Sequence, residues 1–388
     1  MSFLIRILLL LAVSALARGQ PPPIVVGAAV SQSGALAALA ADYRKALLLW
    51  QDEINAAGGL LGRRVELRVH DDVSDAVRAG ELYGQLIRED KADLLIGPFG
   101  SAATLMAGAE AERAQRVLIN GAGAFRTVHK REPRYVFQTA VPNSAYGTGV
   151  LELAGSSALF ILARDDPTSR EMAEATREAA EKQGSKTGDI EVYRLGTSDF
   201  TAQVKKATAA GAEAWIAFGE VRDTADMLRT FKKLGYAPRV FFARSAGDPK
   251  LIELVGQDAE FTLAARKYDA SFKTPGNREF VSAFAAKWSA PPGPAAAEGY
   301  AAATVLAEAV RRAGALDQEK LRATLAQLET DTVLGGYKVN PQNGEQLAAR
   351  PAVVQILKGK PHVVWPQALQ TAKREPYPQW SERRILKK

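Results

Sequence analysis

Cysteine is absent from all 388 residues, and histidine occurs three times, at His70, His129 and His362. The first absence excludes disulfides, zinc–thiolate sites, a catalytic cysteine and the lipidated cysteine that tethers some exported proteins. The histidines lie far apart, in no metal-ligand spacing, and read as surface or strand-end residues. No serine sits in a G-x-S-x-G elbow, since Ser101 follows Gly100 but precedes Ala102 and Ala103. The acidic pair Asp71 and Asp72 closes a β-like run and reads as a cap for the helix that follows, not as acid/base machinery. Long hydrophobic runs are missing too, save "FLIRILLLLAVSALA" near the start, with Arg6 inside it and Ala15, Leu16 and Ala17 before Arg18. That run is too short to span a bilayer and reads as a cleaved secretory signal over residues 1–17. No basic stripe carries interleaved aromatics, so nucleic acid is not an expected partner. Part of the formal charge of +7 sits in the terminal "SERRILKK", which reads as a solvated tail. The expectation is an exported protein free in the periplasm, without metal or cofactor, and not an enzyme.

At 47% hydrophobic and 24% charged, a chain of this length can bury a large core and should divide into about two domains. After Pro21 to Pro23, short apolar runs alternate with helical patterns. "IVVGAAV" precedes a helix near Asp42 to Ala56, "VELRVHD" one near Ser74 to Glu89, and "DLLIG" one beginning near Ser101, with "RVLIN" after it. Such alternation predicts a parallel sheet with helices on both faces. The pattern restarts with "ALFILA", "IEVYRL", "AWIAFG" and "RVFFAR", separated by helices near Arg170 to Lys182, Thr201 to Ala210 and Asp223 to Leu234. Two doubly wound lobes account for this. Beyond Lys267 the chain is mostly helical and must pack on an existing sheet. From Tyr337 onward, "YKVNPQNGE" and "AVVQILKGKPHVVWP" read as hairpins.

Two loops carry the functional signal. In "VLINGAGAF" an apolar run breaks at Gly121 and Gly123, but no third glycine follows three residues later and no carboxylate stands near Ala140, so a dinucleotide fingerprint is absent. A plain turn and a loop offering N–H groups to a smaller anion both remain open. In "IGPFGSAAT" a strand runs into Ser101, an N-cap by type, at the start of a helix. Free N–H groups there, with the helix dipole and the hydroxyl, suit a carboxylate. Both loops should leave the carboxyl ends of adjacent strands, where open α/β sheets bind ligands.

Three stretches, "VVGAAVSQSGALAALAADYRKALLLWQDEINAAGGLLGRRVELRVHDDVSD", "IGPFGSAAT" and "GPAAAEGYAAATVLAEAV", resemble the branched-chain amino-acid-binding family of periplasmic proteins, the substrate-binding components of ABC importers. The resemblance covers nearly the whole mature chain. It implies the type I periplasmic binding fold: two Rossmann-like α/β lobes with parallel-rich sheets, joined by three hinge crossovers near Thr139, Ala265 and Leu334. Lobe one would take residues 24–139 plus 266–334, and lobe two 140–265 plus 335–388. Ser101 falls where the family's carboxylate-binding serine sits, with Phe99 and Gly100 beside it and Ala122, Gly123 and Ala124 on the second ligand loop.

Departures from the family pattern bear on the ligand. Ala124 stands where amino-acid binders place threonine, and aromatic positions of the side-chain pocket read Leu39, Thr168 and Ala295. The acid that would bind a ligand ammonium is replaced by Arg244, with Glu220, after the preceding strand, as the candidate to compensate. A cation facing an ammonium is unfavourable. The resemblance therefore implies a monomeric solute-binding protein that captures a small carboxylate, an organic acid or amino-acid-like, and works with membrane permease subunits of an ABC importer. The alternatives are an amino-acid or amide binder using Glu220, and a periplasmic sensor presenting its closed form to a membrane receptor.

Overall fold

The computed structural model describes residues 21–155 and 157–383, so the signal read in residues 1–17 lies outside the described residues. Five strands, β1 (Ile24–Ala29), β2 (Val65–His70), β3 (Leu94–Ile96), β4 (Leu118–Asn120) and β5 (Val136–Gln138), form a parallel sheet in the order β2-β1-β3-β4-β5. The connecting helices are α1 (Ala37–Ala56), α2 (Ala76–Arg88) and α3 (Ser101–Ala114). Alternation along β1 splits its buried side chains between two cores. Ile24, Val26 and Ala28 face one that holds α1, while Val25 and Ala29 face another that holds α2 and α3. A strand covered on both faces needs apolar residues at every position, which "IVVGAA" supplies.

The turn after α1 depends on its glycines. Gly59 adopts φ +80°, donates its N–H to the Ile54 carbonyl at 2.8 Å, and leaves no room for a Cβ against the Arg63 carbonyl.

The chain next builds β6 (Leu159–Arg164), β7 (Glu191–Tyr193), β8 (Ala214–Phe218), β9 (Val240–Ala243) and β10 (Leu263–Arg266), with helices α4 (Thr148–Ala154), α5 (Pro167–Lys182), α6 (Thr201–Ala209), α7 (Val221–Leu234) and α8 (Pro249–Val255). It continues into α9 (Asn277–Trp288), α10 (Pro294–Ala313) and α11 (Gln318–Gln327), then the antiparallel pair β11 (Thr330–Thr332) and β12 (Gly335–Tyr337). A final hairpin, β13 (Ala352–Leu357) and β14 (Lys360–Trp365), completes the second sheet, ordered β14-β13-β10-β9-β8-β6-β7. Its turn places Lys358 and Gly359 both at positive φ, the geometry that suits a two-residue hairpin.

The helical section after β10 packs on the first sheet, since Ala302, Leu306 and Val310 of α10 and Leu321 and Leu325 of α11 share the core of α1. Tyr337 and Val339 are buried in that same core.

The C-terminal stretch is not wholly a solvated tail. Arg383 stacks on Tyr377 and Trp380, 4.2 and 4.1 Å from the ring centroids, and donates to the Asp258 carbonyl at 3.2 Å. The remainder of "SERRILKK", residues 384–388, lies outside the described residues.

Candidate functional site

Register places the two predicted loops side by side. Leu95 and Ile96 of β3 pair with Leu118 and Ile119 of β4, so residues 97–100 and 121–125 leave neighbouring strands at the same edge. The N-cap of α3 is Gly100, at φ +97°, and not Ser101, which occupies the first helical position and makes no capping bond. Glycine is itself an accepted N-cap, and a positive φ favours it over serine. The freed Ser101 hydroxyl instead accepts the Phe125 N–H at 3.2 Å, joining the two loops. The first intrahelical bond runs from the Thr104 N–H to the Gly100 carbonyl at 3.0 Å, which leaves the N–H groups of Ser101, Ala102 and Ala103 outside the helical ladder. Phe99 stands edge-on to Tyr43 with centroids 6.0 Å apart.

Packing requires a glycine at position 123. Its N–H donates to Asn120 Oδ1 at 2.6 Å, its carbonyl accepts from Asn120 Nδ2 and Gln138 Nε2, and a Cβ would sit 2.8 Å from both Asn120 Oδ1 and Thr104 Oγ1. The half-buried Ala122 and Ala124 are the loop residues left towards the outside. Leu39, 61% exposed, stands in the first turn of α1, Ala295 in that of α10, and Thr168, half-buried, in that of α5.

Two sequence readings near this edge are corrected. Asp75, not Asp71 or Asp72, caps α2 by accepting the Arg78 N–H at 2.8 Å. Asp72 accepts the Ser31 hydroxyl at 2.6 Å, and Asp71 accepts the N–H groups of Gln32 and Val73 and the Ser33 hydroxyl. Burial raises the Asp71 carboxyl, but these donors outweigh it and bring it down to about 2. Both aspartates thus sew the loop after β1 to the loop after β2. His129, expected at a surface or strand end, is buried and bonds through Nδ1 to the Asn343 carbonyl at 2.7 Å.

The second sheet gathers charge at its own carboxyl edge. Arg164 ends β6, Glu220 follows β8 and Arg244 follows β9, three neighbouring strands. Arg244 pairs with the Glu220 carboxylate, which lies 3.5 Å from Arg164 as well. The Glu220 N–H donates to Asp223 Oδ2 at 2.8 Å, and the Tyr193 hydroxyl reaches the same oxygen at 3.2 Å. Arg244 also lines a cleft of about 660 Å³, together with Tyr146, Ser245, Lys267, Pro292 and Pro294. It is therefore neither a purely solvent-facing arginine nor a free cation.

Over residues 23–361 the chain matches the family model described as periplasmic binding protein. The chain belongs to the periplasmic binding protein family. This binding protein is 24% identical over 298 residues, 75% of its own chain and 79% of the relative's, to the leucine-, isoleucine-, valine-, threonine- and alanine-binding protein of Pseudomonas aeruginosa. In fold it is similar to an ABC transporter substrate-binding protein from Sphaerobacter thermophilus, with a TM-score of 0.72 at 22% identity, covering 92% of this chain and 98% of that one. A solute binding protein of an ABC transporter from Rhodopseudomonas palustris, in complex with 3,4-dihydroxy benzoic acid, aligns with a TM-score of 0.66 at 20% identity over 93% and 99% of the two chains.

Within this binding protein, polar contacts tie the two sheets together beside the loops. The Arg126 N–H approaches the Glu171 carboxylate at 3.2 and 3.3 Å, and its guanidinium grips Glu178 at 2.9 and 3.2 Å. Arg126 follows the loop after β4, whereas both glutamates lie on α5. Just after β10, Lys267 meets the buried Glu298 of α10 at 2.6 Å. The sequence reading missed Tyr146, Lys267 and Glu298. A single acid inside the otherwise small and apolar "PAAAEGYAAA" was the available signal, because a buried carboxylate needs a partner.

Proposed function

We propose that the chain captures a small carboxylate-bearing ligand in the cleft between two lobes and delivers it to the permease of an ABC importer. The lobes are built on the two sheets, and the crossings act as hinges that absorb a closing rotation. The observation that carries this reading is the start of α3. Three N–H groups outside the helical ladder and a serine hydroxyl stand beside the loop of Ala122 and Ala124, at the carboxyl edge where open sheets bind ligands. In this reading Phe99, Gly100, Leu39 and Thr168 border the ligand, and no catalytic step is involved. The protein acts in the periplasm after removal of residues 1–17, as a monomer.

Organic acids are favoured over amino acids. By the resemblance read from the sequence, Arg244 stands where amino-acid binders hold an ammonium, and Glu220 is already engaged by Arg244 and Arg164. The acid held by the Rhodopseudomonas palustris protein shows that one member of this fold takes such a ligand. The second reading, an amino acid held through Glu220, draws on the name of the Pseudomonas aeruginosa relative. Mass spectrometry of ligand retained through gentle purification separates them: a carboxylic acid without an amine supports the first, and leucine, valine or alanine the second.

A further inference from the structure

The cleft beside Arg244 has features that a single carboxylate at α3 does not use. Arg244 and Lys267 follow β9 and β10, strands paired through Phe242 and Leu263, a register that sets Arg244 level with Ala265, two residues before Lys267 at the same edge. Both line the same cleft of about 660 Å³, within the size range of small-molecule sites. Each cation is anchored by one carboxylate, Arg244 by Glu220 and Lys267 by Glu298. Among the described residues neither is saturated. Arg244 places one N–H on Glu220 and another on the Gly219 carbonyl, out of the five that a guanidinium carries, and Lys267 places one of three on Glu298. Of the acids on the cleft wall, Asp269 is taken by Arg266 and Ser271, and Asp248 caps α8.

The Lys267 ammonium remains charged in this setting. Burial lowers its pKa, but Glu298 and Tyr146 more than offset that and hold it above the ordinary lysine range, while Arg244 pulls the other way. Two cations thus stand in each other's field on one wall, an arrangement that an anion between them relieves. From these neighbouring cations on one cleft we infer that a second acid group of the ligand sits between Arg244 and Lys267, and that this binding protein selects diacids over monoacids.

This inference rests on the carboxylate site proposed at Ser101, and the experiment separates the two. Calorimetry with the mature chain compares adipate with hexanoate and terephthalate with benzoate. At least one diacid should bind about tenfold or more tightly than its monoacid, with that advantage shrinking as salt rises. Arg244→Met should remove most of the advantage, weakening each diacid far more than its monoacid. Because Lys267→Met would strand a buried carboxylate, Lys267→Met with Glu298→Gln is the companion variant, and it should act in the same direction. Ser101→Ala, in contrast, should weaken monoacid and diacid alike. Equal affinity within both pairs, with Ser101→Ala weakening all four, would overturn the diacid inference and leave the carboxylate site standing. Binding of none of the four acids would overturn both.

Discussion

The Ser101 hydroxyl accepts the Phe125 N–H at 3.2 Å, and this one bond fixes the start of α3 against the loop that leaves the adjacent strand. It makes one surface of two segments more than 20 residues apart in sequence. The start of α3 is thereby held against the loop that carries Ala122 and Ala124.

Ser101→Ala should cost about 1.5 to 3 kcal/mol of affinity for a carboxylate ligand, the range for a hydrogen bond to a charged group. Loss of the acceptor for Phe125 should lower the unfolding free energy by about 1 kcal/mol as well. Calorimetry and urea denaturation read the two separately, and an affinity change no larger than the stability change would remove Ser101 from the site.

Gly123→Val should destabilise the fold rather than simply block the ligand. Its Cβ would lie 2.8 Å from Asn120 Oδ1 and Thr104 Oγ1, and overpacking of this kind costs about 1 to 3 kcal/mol. A clear fall in melting temperature is expected before any ligand is added. A variant as stable as the parent would show that the loop relaxes freely.

The buried His129 should give stability a pH dependence below neutrality. Its Nδ1 donates to the Asn343 carbonyl, while Nε2 faces the Asn120 amide nitrogen at 3.4 Å, so a second ring proton would meet a donor. Burial lowers its pKa to about 4, although the bond to Asn343 opposes that shift. Between about 4 and the ordinary histidine value near 6.5, the unfolded chain binds more protons than the folded one, so stability rises with pH across this window. The contribution is fully present above it and is lost below, up to about 3 kcal/mol. His129→Gln should flatten this part of the profile in denaturant titrations, and an unchanged slope would assign it to other groups.

Much of the fold was legible because β1, β8 and β9, and β6 up to Arg164, are apolar runs and the intervening helices carry amphipathic stretches. Strands β5 and β10 were not legible. Three or four residues ending at polar Gln138 and Arg266 show neither a run nor an alternation that local sequence can register. The start of α1 at Ala37 lies five residues before the expected Asp42, since Leu36 offers no capping side chain to mark it. At the site, Ser101 and the glycine loop could be read from strand-then-glycine spacing. The pairing of Arg244 with Glu220, and of Lys267 with Glu298 across 31 residues, depends on strand order and on the return of α10, which are tertiary facts.

Hinge closure predicts a more compact particle with ligand bound. Small-angle scattering should show a smaller radius of gyration in the presence of a saturating acid than in its absence. Arg126→Ala should change stability by only about 0.2 to 1 kcal/mol, as expected for a partly exposed ion pair, yet shift the balance between open and closed forms. Identical scattering curves with and without ligand would contradict the clamp.

The central claim, that an acid without an ammonium is the preferred ligand, is tested most directly by calorimetry with leucine and 4-methylpentanoate, which differ by the ammonium group alone. The account predicts that 4-methylpentanoate binds more tightly to the wild type, that Ser101→Ala weakens it, and that Arg244→Glu moves the preference towards leucine. Tighter binding of leucine by the wild type, unaffected by the Arg244 substitution, would contradict it.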